Sequence, residues 1–201
     1  MLDPDKTLLL AARVAAEAEK MGIKTALIGA AALAVHGYAR GTEDIDLAAS
    51  VRPLSQLDAL ARVLRVAGLG TELRYPDDDD PLGGVLVVWD LSDGKGERHD
   101  VVEVVNFLNP GRLMLTPASL AIQRATRLDG IELNCVALPD LVALKLYAGG
   151  TADHADIVQL LARNPDADLN EIRIVSEPFD EHGRLSSLIE EARKLSVKRQ
   201  T

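Results

Sequence analysis

Asp44 and Asp46 stand on either side of one isoleucine, in the string Asp44-Ile45-Asp46-Leu47. In an extended strand alternate residues share a face, so the two carboxylates project together with their Cα atoms about 6.6–6.8 Å apart. Like charges that close repel unless a cation lies between them. Hard carboxylate oxygens suit Mg²⁺, which keeps several waters and takes further ligands from substrate phosphates. Upstream, a hydrophobic run ending in Leu27 and Ile28 enters Gly29, with thirteen residues between Ala30 and Asp44. A missing Cβ lets the backbone approach a ligand at Gly29. The small-residue helix that follows turns its N-terminal amides and positive dipole end to the same point, a place suited to phosphate.

These residues need a strand, a turn into a helix and a second strand to carry them. Residues 5–21 place Leu8, Leu9, Ala12, Val14, Ala15 and Ala18 at helical spacing, and Gly22 is a natural stop. Residues 24–28 read as a short buried strand, followed by the helix AAALAVHG, closed by Gly37. Residues 44–50 alternate as a strand. Pro53 and Ser55 introduce a helix with Leu57, Leu60, Ala61 and Leu64 on one face, ending near Gly68. Residues 85–89 and 99–107 are β-branched runs joined through 92–96, a turn-rich hairpin connection. Residues 131–136 are a further strand candidate.

After Pro139 the pattern turns helical. LPDLVALKLYAGG has a proline at its start, Asp140 in its first turn and two glycines at its end. Residues 151–162, 168–176 and 180–197 read as further helices. The expected fold class is α+β, a mixed β-sheet flanked by helices over residues 1–138, with a C-terminal helical region, 139–201, packed on that core.

The chain has 201 residues, enough for one generous domain or two small ones. Hydrophobic residues are 47% and charged residues 26%, which excludes disordered and fibrous classes. Aromatics are only 3%, so the core must come from Ala, Val, Leu and Ile, and surfaces that stack exposed bases on rings are not expected. A formal charge of -9 argues against a broad duplex-DNA surface. Residues 1–21 read as an amphipathic helix and not a secretory segment, and the uncharged run 25–38 is too short to span a membrane. The single Cys135 fits a reducing compartment, so the expected location is cytoplasmic.

The combination of Gly29, the spacer and Asp-Ile-Asp-Leu resembles the nucleotidyltransferase superfamily of the DNA polymerase β type. Within it, Arg40, Thr42 and the string DIDL resemble bacterial AbiEii-like and minimal nucleotidyltransferase proteins, many of them toxins or toxin-like. The helix LVALKLYAGG followed by DHADIVQLL resembles the C-terminal part of the same group, with Lys145, Asp153 and Asp156 at matching places. The resemblance runs over roughly residues 23–162, in two blocks in the expected order.

That resemblance implies a two-metal enzyme moving a nucleoside monophosphate from an NTP to a hydroxyl acceptor. Asp44 and Asp46 would hold two Mg²⁺ ions about 3.5–4 Å apart. Gly29 and the amide of Ala30 would cradle the triphosphate, and Lys145 would neutralise charge there. The third catalytic and metal-binding carboxylate is expected at Asp100, which opens a strand beside a hairpin as the family's third Asp does. Glu103 is its rival, three positions on and therefore on the opposite side of the sheet. The acceptor would be a tRNA 3′ end, a protein or a small molecule such as an aminoglycoside. A toxin role would add an antitoxin protein as partner.

Two departures stand out. The family's second Gly or Ser is Ala30, which keeps the N–H but has no hydroxyl, and Gly149-Gly150-Thr151 stands where the family often has a basic residue. They motivate the alternative of a degenerate binding module that acts through a protein partner.

Other roles are more ordinary. Arg40 contacts phosphate or pairs with a carboxylate. Lys145 has snorkelling to solvent as its competing role. Asp153 and Asp156 are expected to organise a helix start, His36 to be structural, and Cys135 to be a small core residue. The run 77–80 reads as a solvated loop tip, and the C-terminal LSVKRQT as a frayed basic end.

Overall fold

The computed structural model describes residues 4–77, 80–91, 100–112, 114–180 and 182–200, with the side chains of 4 and 198–200 excepted. The expected turn at 92–96 lies outside these residues, as do the middle of the aspartate run and Thr201.

The chain opens with α1 (Pro4–Lys20), whose end Gly22 turns at φ +72°, and continues into β1 (Ala26–Leu27). Gly29 then begins α2 (Gly29–Val35) at φ +59°, and β2 (Asp44–Ala49) follows. β1 is shorter than the expected strand because the chain turns at Gly29. A wide helical turn (Pro53–Leu57) leads into α3 (Asp58–Val66), whose buried Leu60, Ala61 and Leu64 form the anticipated face. Then come β3 (Leu69–Arg74), β4 (Val85–Asp90) and β5 (Val101–Asn106). The third part holds α4 (Ala118–Arg124), β6 (Thr126–Arg127), β7 (Asn134–Cys135), α5 (Leu138–Ala148) and α6 (Thr151–Arg163). It closes with α7 (Leu169–Ser176), a tight turn (Glu177–Phe179) and α8 (Arg184–Gln200).

The strands form one seven-stranded mixed sheet in the order β3-β4-β5-β2-β1-β7-β6. β4 and β5 pair antiparallel, while β5 runs parallel to β2. β3 was not anticipated. LGTELR has little β-branched character, and it is a strand because β4 offers it six paired positions at the sheet edge. The strand expected at 131–136 narrows to Asn134–Cys135.

Alternation along β2 and β5 separates two faces. Ile45, Leu47, Val102 and Val104 are buried on one, whereas Asp44, Asp46, Val101 and Glu103 are half-buried on the other. The core is aliphatic throughout, and one cluster joins α1, the sheet, α3 and the helices from α5 onward. The last third therefore shares its interior with the sheet. α5 begins with Pro139 in its first turn and ends at Gly149, φ +69°, the left-handed C-cap its two glycines signal. No helix among the described residues is long and apolar enough to cross a membrane.

Candidate active site

β2 delivers Asp44 and Asp46 to the half-buried face. In the parallel pairing, Asp44 lies opposite Val101 and Asp46 opposite Glu103. Register partners in a parallel pair point the same way, so Glu103 joins the two aspartates. One carboxylate oxygen from each of Asp44, Asp46 and Glu103 lies within 4.8 Å of the others.

Asp100 is not in this group. It precedes β5 with a left-handed backbone, φ +54°, and its Oδ1 accepts a hydrogen bond from the Thr7 hydroxyl of α1 at 3.3 Å. Glu103 is the residue on the aspartates' side. The β2–β5 register brings Glu103 to Asp44 and Asp46, and it does not bring the expected Asp100 there.

Each acid is held by its surroundings. The Thr42 hydroxyl lies 2.9 Å from Asp44 Oδ1 and 3.0 Å from the Asp44 carbonyl oxygen, which fixes the first carboxylate. The Ile28 N–H donates to the Asp46 carbonyl at 3.0 Å, docking β2 on the turn into α2. Gly29 is indispensable there: a Cβ would stand 2.0 Å from Asp46 Oδ2. Glu103 Oε1 faces Arg74 Nη1 at 3.6 Å.

The electrostatics are those of an acidic cluster without a counter-charge among its own members. Burial, then the charges of Asp44 and Glu103, push the Asp46 carboxyl up to about 7, against the pull of Lys145 and Arg40. Burial and Asp44 also raise Glu103, with Arg74 opposing.

Lys145 and Arg40 are positioned by Asp156, which is 3% exposed. Its Oδ2 is 2.8 Å from Lys145 Nζ, and its Oδ1 is 3.1 Å from Arg40 Nε. Lys145 Nζ also donates to Asp153 Oδ1 at 2.8 Å, while Asp153 Oδ2 caps the Gly150 N–H at 3.2 Å. Lys145 is only 8% exposed, so the snorkelling alternative is set aside. Asp153 organises the helix start as expected. Asp156 instead bridges α6 to the loop before β2, a role that spacing alone did not show.

The remaining residues are structural. His36 Nε2 lies 2.8 Å from the Val136 carbonyl oxygen. Cys135 is buried in the sheet, and that burial raises its thiol to about 11. A cleft of about 880 Å³ is lined among others by Gly29, Lys145, Arg112, Tyr147, Phe179 and Arg184.

No protein-family model and no curated protein matches the chain. Solved structures do match it. An antigenic nucleotidyltransferase-like protein from Paracoccidioides brasiliensis superposes with a TM-score of 0.55 at 16% identity, over 94% of each chain. The solution structure of the antibiotic-resistance factor ANT(2'')-Ia gives 0.54 at 14% identity, over 96% of this chain and 100% of that one. The crystal structure of ANT(2")-Ia in complex with adenylyl-2"-tobramycin gives 0.50 at 13% identity, over 87% and 97%. At such identities the likeness is one of fold. The chain has a nucleotidyltransferase-like fold, a mixed α/β architecture around one seven-stranded sheet.

Proposed function

We propose that this protein is a Mg²⁺-dependent nucleotidyltransferase that moves a nucleoside monophosphate from an NTP to a hydroxyl acceptor. The observation that carries the reading is the convergence of Asp44, Asp46 and Glu103, with Asp46 against Gly29, a glycine that also lines a cleft large enough for a small-molecule substrate. The nucleotidyltransferase-like fold supports it.

The residues present fit a divalent cation. Three hard oxygens converge, and burial together with the charges of Asp44 and Glu103 raises the Asp46 carboxyl, a cost of ionisation that a dication would offset. Asp44, Asp46 and Glu103 would hold the metal. When bound, such ions would ease deprotonation of the acceptor hydroxyl and neutralise charge on the departing pyrophosphate. In the reaction, the acceptor oxygen bonds to the α-phosphorus, the bond to the bridging oxygen breaks, pyrophosphate leaves and the hydroxyl proton passes to solvent.

The chain's own part is positioning. Thr42 fixes Asp44, and Gly29 leaves Asp46 its space while bringing backbone close to the phosphates. Lys145, with Arg40 anchored beside it by Asp156, supplies fixed positive charge near the acids. Ala30 would offer its N–H to the triphosphate. The acceptor is a hydroxyl-bearing molecule small enough, or with an end narrow enough, to enter the cleft. An aminoglycoside, a protein side chain and a tRNA 3′ end all qualify. The toxin role and its antitoxin partner rest on Arg40, Thr42 and the DIDL string.

The test is label transfer. The protein is incubated with Mg²⁺ and each α-labelled NTP, with aminoglycosides, total RNA or lysate protein as acceptors. Label should reach one acceptor class with the native chain and not with Asp46→Ala. Equal transfer by the two contradicts the reading. The alternative of a non-catalytic module, suggested by Ala30 and Gly149-Gly150, instead expects no Mg²⁺-dependent NTP affinity.

A further inference from the structure

The chain has six aromatic residues: three tyrosines, two phenylalanines and one tryptophan. Three of them, Phe107, Tyr147 and Phe179, line the cleft that Gly29 and Lys145 also line. They come from separate places: just after β5, the last turn of α5, and the tight turn after α7. All three are half-buried, and only Phe107 is packed against the largely aliphatic core. Packing alone would draw such large rings inward.

Tyr147 and Phe179 meet edge to face, with centroids 6.1 Å apart and planes at 89°. That contact holds each ring in place at the cleft wall. The Tyr147 hydroxyl is buried and makes no hydrogen bond, so the ring is the part of this side chain with a use at the cleft. A fixed ring face suits a flat, apolar-faced, electron-poor partner, and a heterocyclic base is such a partner.

We infer that Tyr147 and Phe179 form the nucleobase subsite, on which the base of the NTP stacks while its phosphates reach Gly29 and Lys145. This rests on the nucleotidyl-transfer reading. Stacking on a ring face accepts every base, so the pair contributes affinity common to all four nucleotides and leaves base choice to other groups.

The experiment is calorimetry on the full chain in Mg²⁺, titrating ATP, GTP, CTP and UTP, with inorganic triphosphate as the base-free probe. Tyr147→Ala should weaken all four NTPs by roughly 5–150-fold, the worth of one stacked base, and leave triphosphate binding unchanged. Tyr147→Phe should bind the NTPs like the native chain, and Phe179→Leu should fall between. Unchanged triphosphate binding also shows that a variant is folded. The subsite is overturned if Tyr147→Ala weakens NTPs and triphosphate alike, or not at all, or if Tyr147→Phe loses as much as Tyr147→Ala. A native chain that binds neither NTP nor triphosphate overturns the nucleotidyl-transfer reading and the subsite with it. Tight triphosphate binding without ring dependence overturns the subsite alone.

Discussion

Gly29 and Asp46 share one space. The aspartate's Oδ2 lies 2.0 Å from the point where a Cβ on residue 29 would stand, and the glycine's φ of +59° belongs to the left-handed region. A glycine at this turn therefore serves the backbone and the carboxylate together. Gly29→Ala should cost about 1–2 kcal/mol from backbone strain and displace Asp46. Mn²⁺ affinity, followed by calorimetry, should fall by roughly 10–100-fold, the usual effect of disturbing a ligand's support. Thermal unfolding reads the strain separately.

Glu103 and Asp100 are separated by one comparison. Glu103→Gln should weaken Mn²⁺ binding and abolish label transfer. Asp100→Asn should leave both intact, because Asn tolerates the left-handed backbone at φ +54° and the site loses no ligand. Its expected cost is about 1 kcal/mol of stability, from the altered bond to Thr7. The opposite pattern would return the third carboxylate to Asp100.

The Asp46 carboxyl makes stability depend on pH. Its value rises from 3.8 to about 7 on folding, so the folded chain keeps a proton that the unfolded chain has already lost. Stability from this group is full below about 4 and declines as pH rises through about 7. The charges facing it are Asp44 and Glu103, which strengthen the trend, and Lys145 and Arg40, which weaken it. In chelator, Asp46→Asn should be more stable than the native chain at pH of about 8, and that advantage should vanish at about 4. Urea unfolding at the two pH values reads it. Because metal must displace the proton, Mn²⁺ affinity should rise with pH up to about 7.

Asp156 ties the helical third to the loop before β2. Asp156→Asn leaves the Arg40 guanidinium and the buried Lys145 ammonium with one fewer carboxylate, although Lys145 keeps Asp153. The expected loss is about 3 kcal/mol, at the lower end for a broken buried pair because Arg40 is partly exposed. Asp153→Asn should cost less. An unchanged urea midpoint for Asp156→Asn would show that the ion pairs contribute nothing net.

Much of the site was legible because its central part is local. Gly29 and the pair Asp44 and Asp46 lie close in sequence, and strand alternation alone puts the two acids on one face. Glu103 was harder to assign, since choosing it over Asp100 requires the register between two parallel strands. No short-range pattern encodes that register. Asp156 pairs with a residue 116 positions away, so its burial emerges only when α6 packs. β3 escaped notice because LGTELR becomes a strand through its neighbour rather than through its own propensity. Composition also averages over the whole chain: 3% aromatic residues implies few rings anywhere, yet the fold gathers Phe107, Tyr147 and Phe179 at one cleft.

The most direct test is a crystal grown with Mn²⁺ and a non-hydrolysable NTP analogue, examined by anomalous scattering. The expected map has manganese between Asp44, Asp46 and Glu103, with the triphosphate over Gly29. Manganese bound elsewhere, with these three acids paired to protein cations or turned away from the nucleotide, would contradict the account.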